Sequence, residues 1–270
     1  MRILFLGDIV GHKGRDCLKH LLRDLMREKN ISYVVANGEN AAGGSGITQR
    51  CAQDLYEAGV DAITMGDHLW KQKDVIHLLE NDPHFFRPLN YPSGTPGHGF
   101  GCITKDSLPP LGIINMQGRT FMAPLENPFN AIESAVDCLR EKTNLILVDF
   151  HAEATSEKIA MGWLLDGKVS LVVGTHTHVQ TSDCRILPRG TGYLTDAGFC
   201  GPHESVIGRE IEPVIAGFKS MRPNRFPVAT GDVRMQGVLV EVEESSGQAR
   251  SIELISRNLD AMSGSMLSDS

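Results

Sequence analysis

Residues 33–68 read YVVANGENAAGGSGITQRCAQDLYEAGVDAITMGDH, and the order of apolar and polar blocks in this stretch decides the fold class. Residues 33–36 form a short apolar strand that runs straight into the polar NGEN of 37–40. Residues 48–58 follow as a helix beginning at Thr48, whose hydroxyl suits an N-cap. Residues 62–65 are a second apolar strand, again ending in glycine and polar side chains, GDH at 66–68. Upstream, ILFLG at 3–7 is a third such run and ends at Asp8. Between them, Leu18, Leu21, Leu22, Leu25 and Met26 repeat with the spacing of an amphipathic helix. Strand, helix, strand, helix, strand is the pattern of a layered α/β fold with short crossovers.

The pattern resumes downstream. Residues 82–128 are rich in Pro and Gly and read as loops interleaved with strands near 99–104 and 111–116. A helix is spaced over 129–141, and LILVDF at 145–150 is a buried strand that ends at His151. Residues 155–165 read as a helix capped by Thr155 with Glu157 in its first turn. Residues 169–173 form a strand leading into GTHTH, and 236–243 and 251–255 close the chain as strands. With no repeat and no long polar linker, residues 1–260 are expected to form one domain, and 261–270 a frayed tail.

Composition narrows the functional classes. The chain has 270 residues, 41% apolar and 22% charged, which supports a sizeable core and excludes disordered and fibrous classes. A net charge of −7 argues against gripping nucleic acid or a membrane through a general positive field. A small phosphorylated substrate remains compatible, because a metal ion can supply local positive charge. Cysteines at 17, 51, 102, 138, 184 and 200 include no C-x-x-C pair, which excludes a zinc ribbon and reads as scattered core thiols in a reducing compartment. The N-terminal apolar run is too short for a signal segment, and no run is long enough to span a bilayer. A soluble cytoplasmic protein is expected.

Five strands end in residues that can bind metal: Asp8, Glu39 with Asn40, Asp67 with His68, His151, and His176 with His178. Sites in α/β sheets form outside the carboxyl ends of strands. A lone Asp after a strand is usually a turn former, so the convergence of five ends carries the argument. In an extended segment His176 and His178, two apart, project to one side; alone, two solvated loop histidines would read the same. Imidazole and carboxylate without thiolate suit Fe, Mn, Zn or Co and disfavour Ca and Mg.

The donors are too many for one tetrahedral ion. Asp8, Glu39, Asn40 and His178, with Asp67, His151 and His176, would serve two ions sharing a carboxylate. Two metals about 3.5–4 Å apart can clamp a phosphate and lower the pKa of a bridging water, and the hydroxide attacks phosphorus in line. His68 is expected to turn its ring away from the donors towards substrate. Near its reference pKa of about 6.5 it would protonate the departing alkoxide; a capping or surface histidine is the plainer alternative. Gly43 and Gly44 either bring backbone amides near a phosphate or form a flexible turn. Phe85, Phe86 and Trp70 are taken as core in preference to a base-stacking surface.

Together Asp8, NGEN (37–40), GDH (66–68), DFHAEATSEK (149–158), GTHTHVQT (174–181) and YLTDAGFCGP (193–202) resemble the YmdB-type metallophosphoesterases of bacteria, over residues 1 to about 256. The resemblance implies a calcineurin-like α/β sandwich, with two mixed sheets flanked by helices. It implies a dinuclear centre, most often iron, with Mn or Zn as other occupants. It also implies phosphodiesterase activity on 2′,3′-cyclic nucleotides and assembly as a homodimer or homotetramer. By position, Asp8, Glu39, Asn40 and His178 correspond to one metal site. Glu39, Asp67, His151 and His176 correspond to the other, Glu39 bridging, and His68 to the catalytic histidine.

Two departures stand out. The wider superfamily begins with Asp-x-His where this chain has Asp8-Ile9-Val10, and Asn40 is the expected substitute. The common Gly-Asn-His is here Gly66-Asp67-His68, which adds one negative charge among the donors. The reading is a dinuclear-metal phosphodiesterase of small nucleotides, or of short RNA ends. The alternatives are a phosphomonoesterase using the same centre and a metal-stabilised regulatory protein.

Overall fold

The computed structural model describes residues 1–105 and 107–259, so the expected tail at 261–270 lies outside the described residues. The chain opens with β1 (Arg2–Leu6), β2 (Asp8–Ile9), α1 (Gly11–Lys29), β3 (Tyr33–Asn37), α2 (Gln49–Ala58) and β4 (Ala62–Thr64). A 3-10 turn at Leu69–Lys71 leads to α3 (Val75–Asn81), β5 (Phe85–Phe86), β6 (Phe100–Ile103) and β7 (Leu111–Gln117). Then come α4 (Pro128–Arg140), β8 (Ile146–His151), α5 (Thr155–Leu165) and β9 (Leu171–Thr175). The last third adds β10 (Arg185–Ile186), β11 (Gly192–Leu194), β12 (Phe199–Pro202), α6 (Ile211–Ser220), β13 (Val233–Val242) and β14 (Ala249–Asn258).

The strands make two mixed sheets. The first runs β2-β12-β13-β1-β3-β4-β5, with β14 on the other side of β13; β1, β3, β4 and β5 are parallel, and β13 is antiparallel to β1. The second runs β10-β11-β9-β8-β7-β6, parallel from β11 to β7. Alternation along each strand builds three apolar layers. Ile3, Phe5, Tyr33 and Val35 meet Ile113, Leu147, Leu171 and Val173 between the sheets. Their neighbours Leu4, Leu6, Val34 and Ala36 pack under Leu18, Leu22 and Leu55 of the helices. On the far side Ile114, Val148 and Val172 pack against Ile132, Val136 and Met161. Both faces of the central strands are covered, which is why their sequences read as unbroken apolar runs.

The expected sandwich of two mixed sheets with outer helices is the observed fold. Thr48 caps α2, accepting a hydrogen bond from the Cys51 amide at 3.3 Å. The cap expected at Thr155 is not made: Ala154 occupies that position without a side-chain bond, and Thr155 is the first helical residue. Phe85 and Phe86 are core as expected, whereas Trp70 is 48% exposed and sets its edge against Tyr91 at 6.3 Å. Asn90 is fully buried and clamps backbone, donating to the carbonyls of Gln117 (2.8 Å) and Glu126 (3.0 Å). No helix among the described residues is long and apolar enough to cross a membrane.

Candidate metal centre

The singled-out residues meet at the seam between the sheets. Asp8 opens β2 just after β1, Glu39 and Asn40 follow β3, and Asp67 and His68 follow β4, all from the first sheet. His151 is the last residue of β8, and His176 and His178 follow β9, both from the second sheet. Parallel strands aim their carboxyl ends at one edge, so loops from both sheets empty into the same cleft.

Glu39 sits at the middle of the cluster, with its two oxygens turned to different neighbours. Oε2 lies 3.3 Å from His151 Nε2, and Oε1 lies 3.1 Å from Asn40 Nδ2. On the first side, His151 Nε2 is 3.0 Å from Asp67 Oδ1 and 3.1 Å from His176 Nδ1. Atoms of Glu39, Asp67, His151 and His176 lie within 4.8 Å of one another. On the second side, Asn40 Nδ2 is 3.3 Å from Asp8 Oδ1 and 3.2 Å from His178 Nε2, which is 3.6 Å from Asp8 Oδ1. Gly66 lets these groups close up, since a Cβ there would fall on the His151 ring and the Glu39 carboxylate.

The donor chemistry fits cations. His151 Nε2 carries at most one proton, yet it faces oxygens of Asp67 and Glu39 and a nitrogen of His176; one hydrogen cannot serve three partners. Asp8, Glu39 and His151 are all buried. Burial alone would raise the carboxyl pKa of Glu39 and Asp67, but His151, joined by His68 at Glu39 and by His176 at Asp67, outweighs it and holds both well below the usual range. Burial lowers the His151 pKa, and Glu39 and Asp67 reverse this, holding it well above the ordinary value.

The second nitrogen of each imidazole in the cluster is also engaged, which fixes ring orientation. His151 Nδ1 is 2.9 Å from Thr175 Oγ1, which donates to Asp149 Oδ1 at 2.7 Å. Asp149 is fully buried and also accepts from Thr64 Oγ1 (2.6 Å) and Asn37 Nδ2 (3.1 Å). Its burial pushes the carboxyl up to about 6. His176 Nε2 lies 3.1 Å from Glu153 Oε2, and His178 Nδ1 donates to the Ile207 carbonyl at 3.1 Å. Sequence reasoning gave no role to Asp149, Glu153 or Arg209. The readable signal for Asp149 was its place two residues before His151, on the same strand face.

His176 and His178 reach the cluster differently from the expected strand alternation. Both have left-handed backbone, φ 96° and φ 60°, a conformation that costs non-glycine residues about 1–3 kcal/mol. Thr177 between them is pinned: its amide and hydroxyl donate to Asp196 Oδ2 at 3.2 and 2.6 Å. Buried Lys158 Nζ donates to the same oxygen at 2.8 Å. The His176 amide donates to Asp8 Oδ2 at 3.2 Å.

His68 also departs from the extended reading. It lies in a turn (φ −84°, ψ 12°), so its ring does not swing away from the donors. Nδ1 is 2.7 Å from Asn40 Oδ1 and 3.2 Å from Glu39 Oε1, while the backbone amide donates to Glu39 Oε2 at 3.1 Å. Burial lowers the ring's pKa, but Glu39 more than offsets this and raises it. Nε2 has no hydrogen-bond partner among the described residues, and His68 lines a cleft of about 300 Å³ with Glu39, Asn40, Glu153, His176 and Arg209. Gly43 and Gly44 turn their carbonyls to Arg209, which donates to both.

Two sheets meeting over a carboxylate–imidazole cluster are the frame of a metal-binding phosphoester hydrolase. The chain belongs to the YmdB-like protein family, which matches residues 4–255. It is 45% identical over 262 residues to the 2′,3′-cyclic-nucleotide 2′-phosphodiesterase of Bacillus subtilis (strain 168), covering 97% of this chain and 99% of that protein. Among solved structures, it resembles a Thermus thermophilus protein described as hypothetical (TM-score 0.89, 41% identity, 96% of this chain and 99% of that one). A Mycoplasma pneumoniae structure described as a novel phosphatase is equally similar in shape (TM-score 0.89, 35% identity, 96% of this chain and 93% of that one). The chain is a phosphoric diester hydrolase.

Proposed function

We propose that this chain is a dinuclear-metal phosphodiesterase that opens 2′,3′-cyclic nucleotides. The carrying observation is Glu39, which presents one oxygen to the His151 side and the other to the Asn40 side. Glu39, Asp67, His151 and His176 would hold one ion, and Asp8, Glu39 and His178 the other; Asn40, whose Nδ2 faces these three, would join them through its oxygen once the amide is turned over. The mixed nitrogen and oxygen donors suit iron, manganese or zinc alike, and the family resemblance is what favours iron. Ions held there would supply the positive charge that polarises phosphoryl oxygens and acidifies water.

The chain's own groups do the rest. His68, held at Nδ1 by Asn40 and Glu39, has Nε2 left to deliver a proton to the departing ribose oxygen. Among the described residues Arg209 is the one Lys or Arg lining the cleft, and it adds fixed positive charge beside the substrate phosphate. Short RNA ends carrying a cyclic phosphate fit the same chemistry. The family resemblance supports a cytoplasmic homodimer or homotetramer.

A second reading, phosphomonoesterase, is favoured by the structural relative described as a phosphatase. Elemental analysis of protein purified without added metal is expected to return two ions per chain. Hydrolysis of bis-p-nitrophenyl phosphate is expected to exceed that of p-nitrophenyl phosphate, with both abolished by a chelator. A preference for the monoester would reverse the assignment, and full activity after the ions are stripped would remove the metal mechanism.

Asp67→Asn restores the amide of the common motif. It keeps an oxygen where Asp67 Oδ1 now faces His151 and His176 at 3.0 and 3.3 Å. Metal content is expected to persist while turnover or metal preference changes, because the donor set loses one negative charge. Identical kinetics with every metal tried would refute a role for that charge.

A further inference from the structure

Beside the polar cleft lies a second and more apolar cavity of about 600 Å³, with Arg209, Arg222 and Asn224 as its polar lining. Its walls include Val214, Phe218, Met221 and Phe226, from α6 and the segment after it. Phe218 is 78% exposed, Met221 86% and Phe226 42%, so apolar surface is gathered at this one place. Ile207 and Arg209 line both spaces, which makes them adjoining compartments. Arg209 stands at the boundary, its guanidinium donating to the carbonyls of Gly43 and Gly44 on one side and Phe226 (3.0 Å) on the other. The Ile207 carbonyl accepts from His178 Nδ1, so the shared wall is also fastened to the donor cluster.

A charged compartment that adjoins, across Ile207 and an arginine, an apolar one with aromatic walls matches one class of small ligand: an anion joined through a short polar spacer to a flat ring. We infer that the apolar cavity holds the base of the nucleotide whose phosphate occupies the cleft, with the ribose beneath Arg209 and the base against Phe226 and Phe218. Rings tolerate any base, because every base presents a π face, so the subsite selects nucleotides over simple phosphodiesters without reading sequence. A cavity of this size with few polar groups is the usual form of such a pocket. The inference rests on the phosphodiesterase reading and extends it to the part of the substrate remote from phosphorus.

The test compares 2′,3′-cyclic AMP with methyl p-nitrophenyl phosphate, a diester without base or ribose, on metal-loaded enzyme. The ratio of kcat/KM for the nucleotide over the simple diester is expected to fall about tenfold in Phe226→Ala and in Phe218→Ala, the scale of one base stacked on a ring. The loss is expected mainly in KM, and Phe226→Tyr should restore the ratio. An unchanged ratio in both alanine variants overturns the subsite. So does a change confined to oligomer size, which would make the face an interface between copies. Should the wild type hydrolyse neither diester, the functional reading fails separately; calorimetric binding of adenosine 3′-phosphate, weakened tenfold by Phe226→Ala, would still support the cavity as a base site, and equal binding would overturn it.

Discussion

Replacing His68 with alanine is expected to lower kcat for a 2′,3′-cyclic nucleotide by about 10²–10⁴-fold while metal content stays at the wild-type level. The ring touches the cluster only through Nδ1, at Asn40 Oδ1 (2.7 Å) and Glu39 Oε1 (3.2 Å). The backbone amide that donates to Glu39 survives the substitution. What is lost is the proton supply at Nε2. A ribose alkoxide needs that proton to depart, whereas p-nitrophenolate leaves without it. The same variant should therefore lose far less on bis-p-nitrophenyl phosphate, and this split is the mechanistic reading of the experiment. Equal losses on both substrates would point to a structural or metal-holding role. No loss on either would remove His68 from the reaction.

The second large effect is on stability. Lys158→Met is expected to destabilise the protein by about 3–5 kcal/mol, because it leaves the charge of Asp196 buried without its partner. Lys158 is 1% exposed and Asp196 fully buried, 2.8 Å apart. Asp196 also holds the Gly198 amide at 2.8 Å and both polar groups of Thr177, so the pair clamps the loop carrying His176 and His178. Urea denaturation and the melting temperature measure the loss, which corresponds to roughly 10 °C in Tm. Adding Asp196→Asn should return part of it, since the stranded charge is then gone. A Tm within about 2 °C of wild type in the single variant would show that the pair carries little of the loop's order.

The layered fold was legible because burial on both faces leaves a plain mark: apolar runs of four to six residues, most of them stopped by glycine and a polar group and the run at 145–150 by His151. β2, β10 and β11, of two or three residues each, leave no such mark, because period and length barely register in so few positions; β4, equally short, was readable through the glycine and polar residues that follow it. At the site, residue types were readable and their geometry was not. His176 and His178 come together through two left-handed residues that no spacing rule anticipates. His68 is carried by a turn, so a rule for extended chains gave its ring the wrong direction. Asp149 looked like the polar end of an apolar strand, yet it is the buried acceptor for Thr64, Thr175 and Asn37. Such partners come from remote segments and become visible only once the sheets are assembled. The apolar cavity was hidden for the same reason, since α6 and the segment after it carry no motif.

The placement of β13 bears on biosynthesis. Residues 233–242 lie beside residues 2–6 in the middle of the first sheet, paired from Arg2–Glu241 to Leu6–Gly237. A ribosome releases these two stretches far apart in time, so the strand leading into Asp8 keeps one raw edge through most of translation. Such an edge is open to unwanted pairing. Every proposed ligand has emerged by His178, yet the sheet that carries Asp8 closes only when residues 233–242 slot in beside the earliest ones.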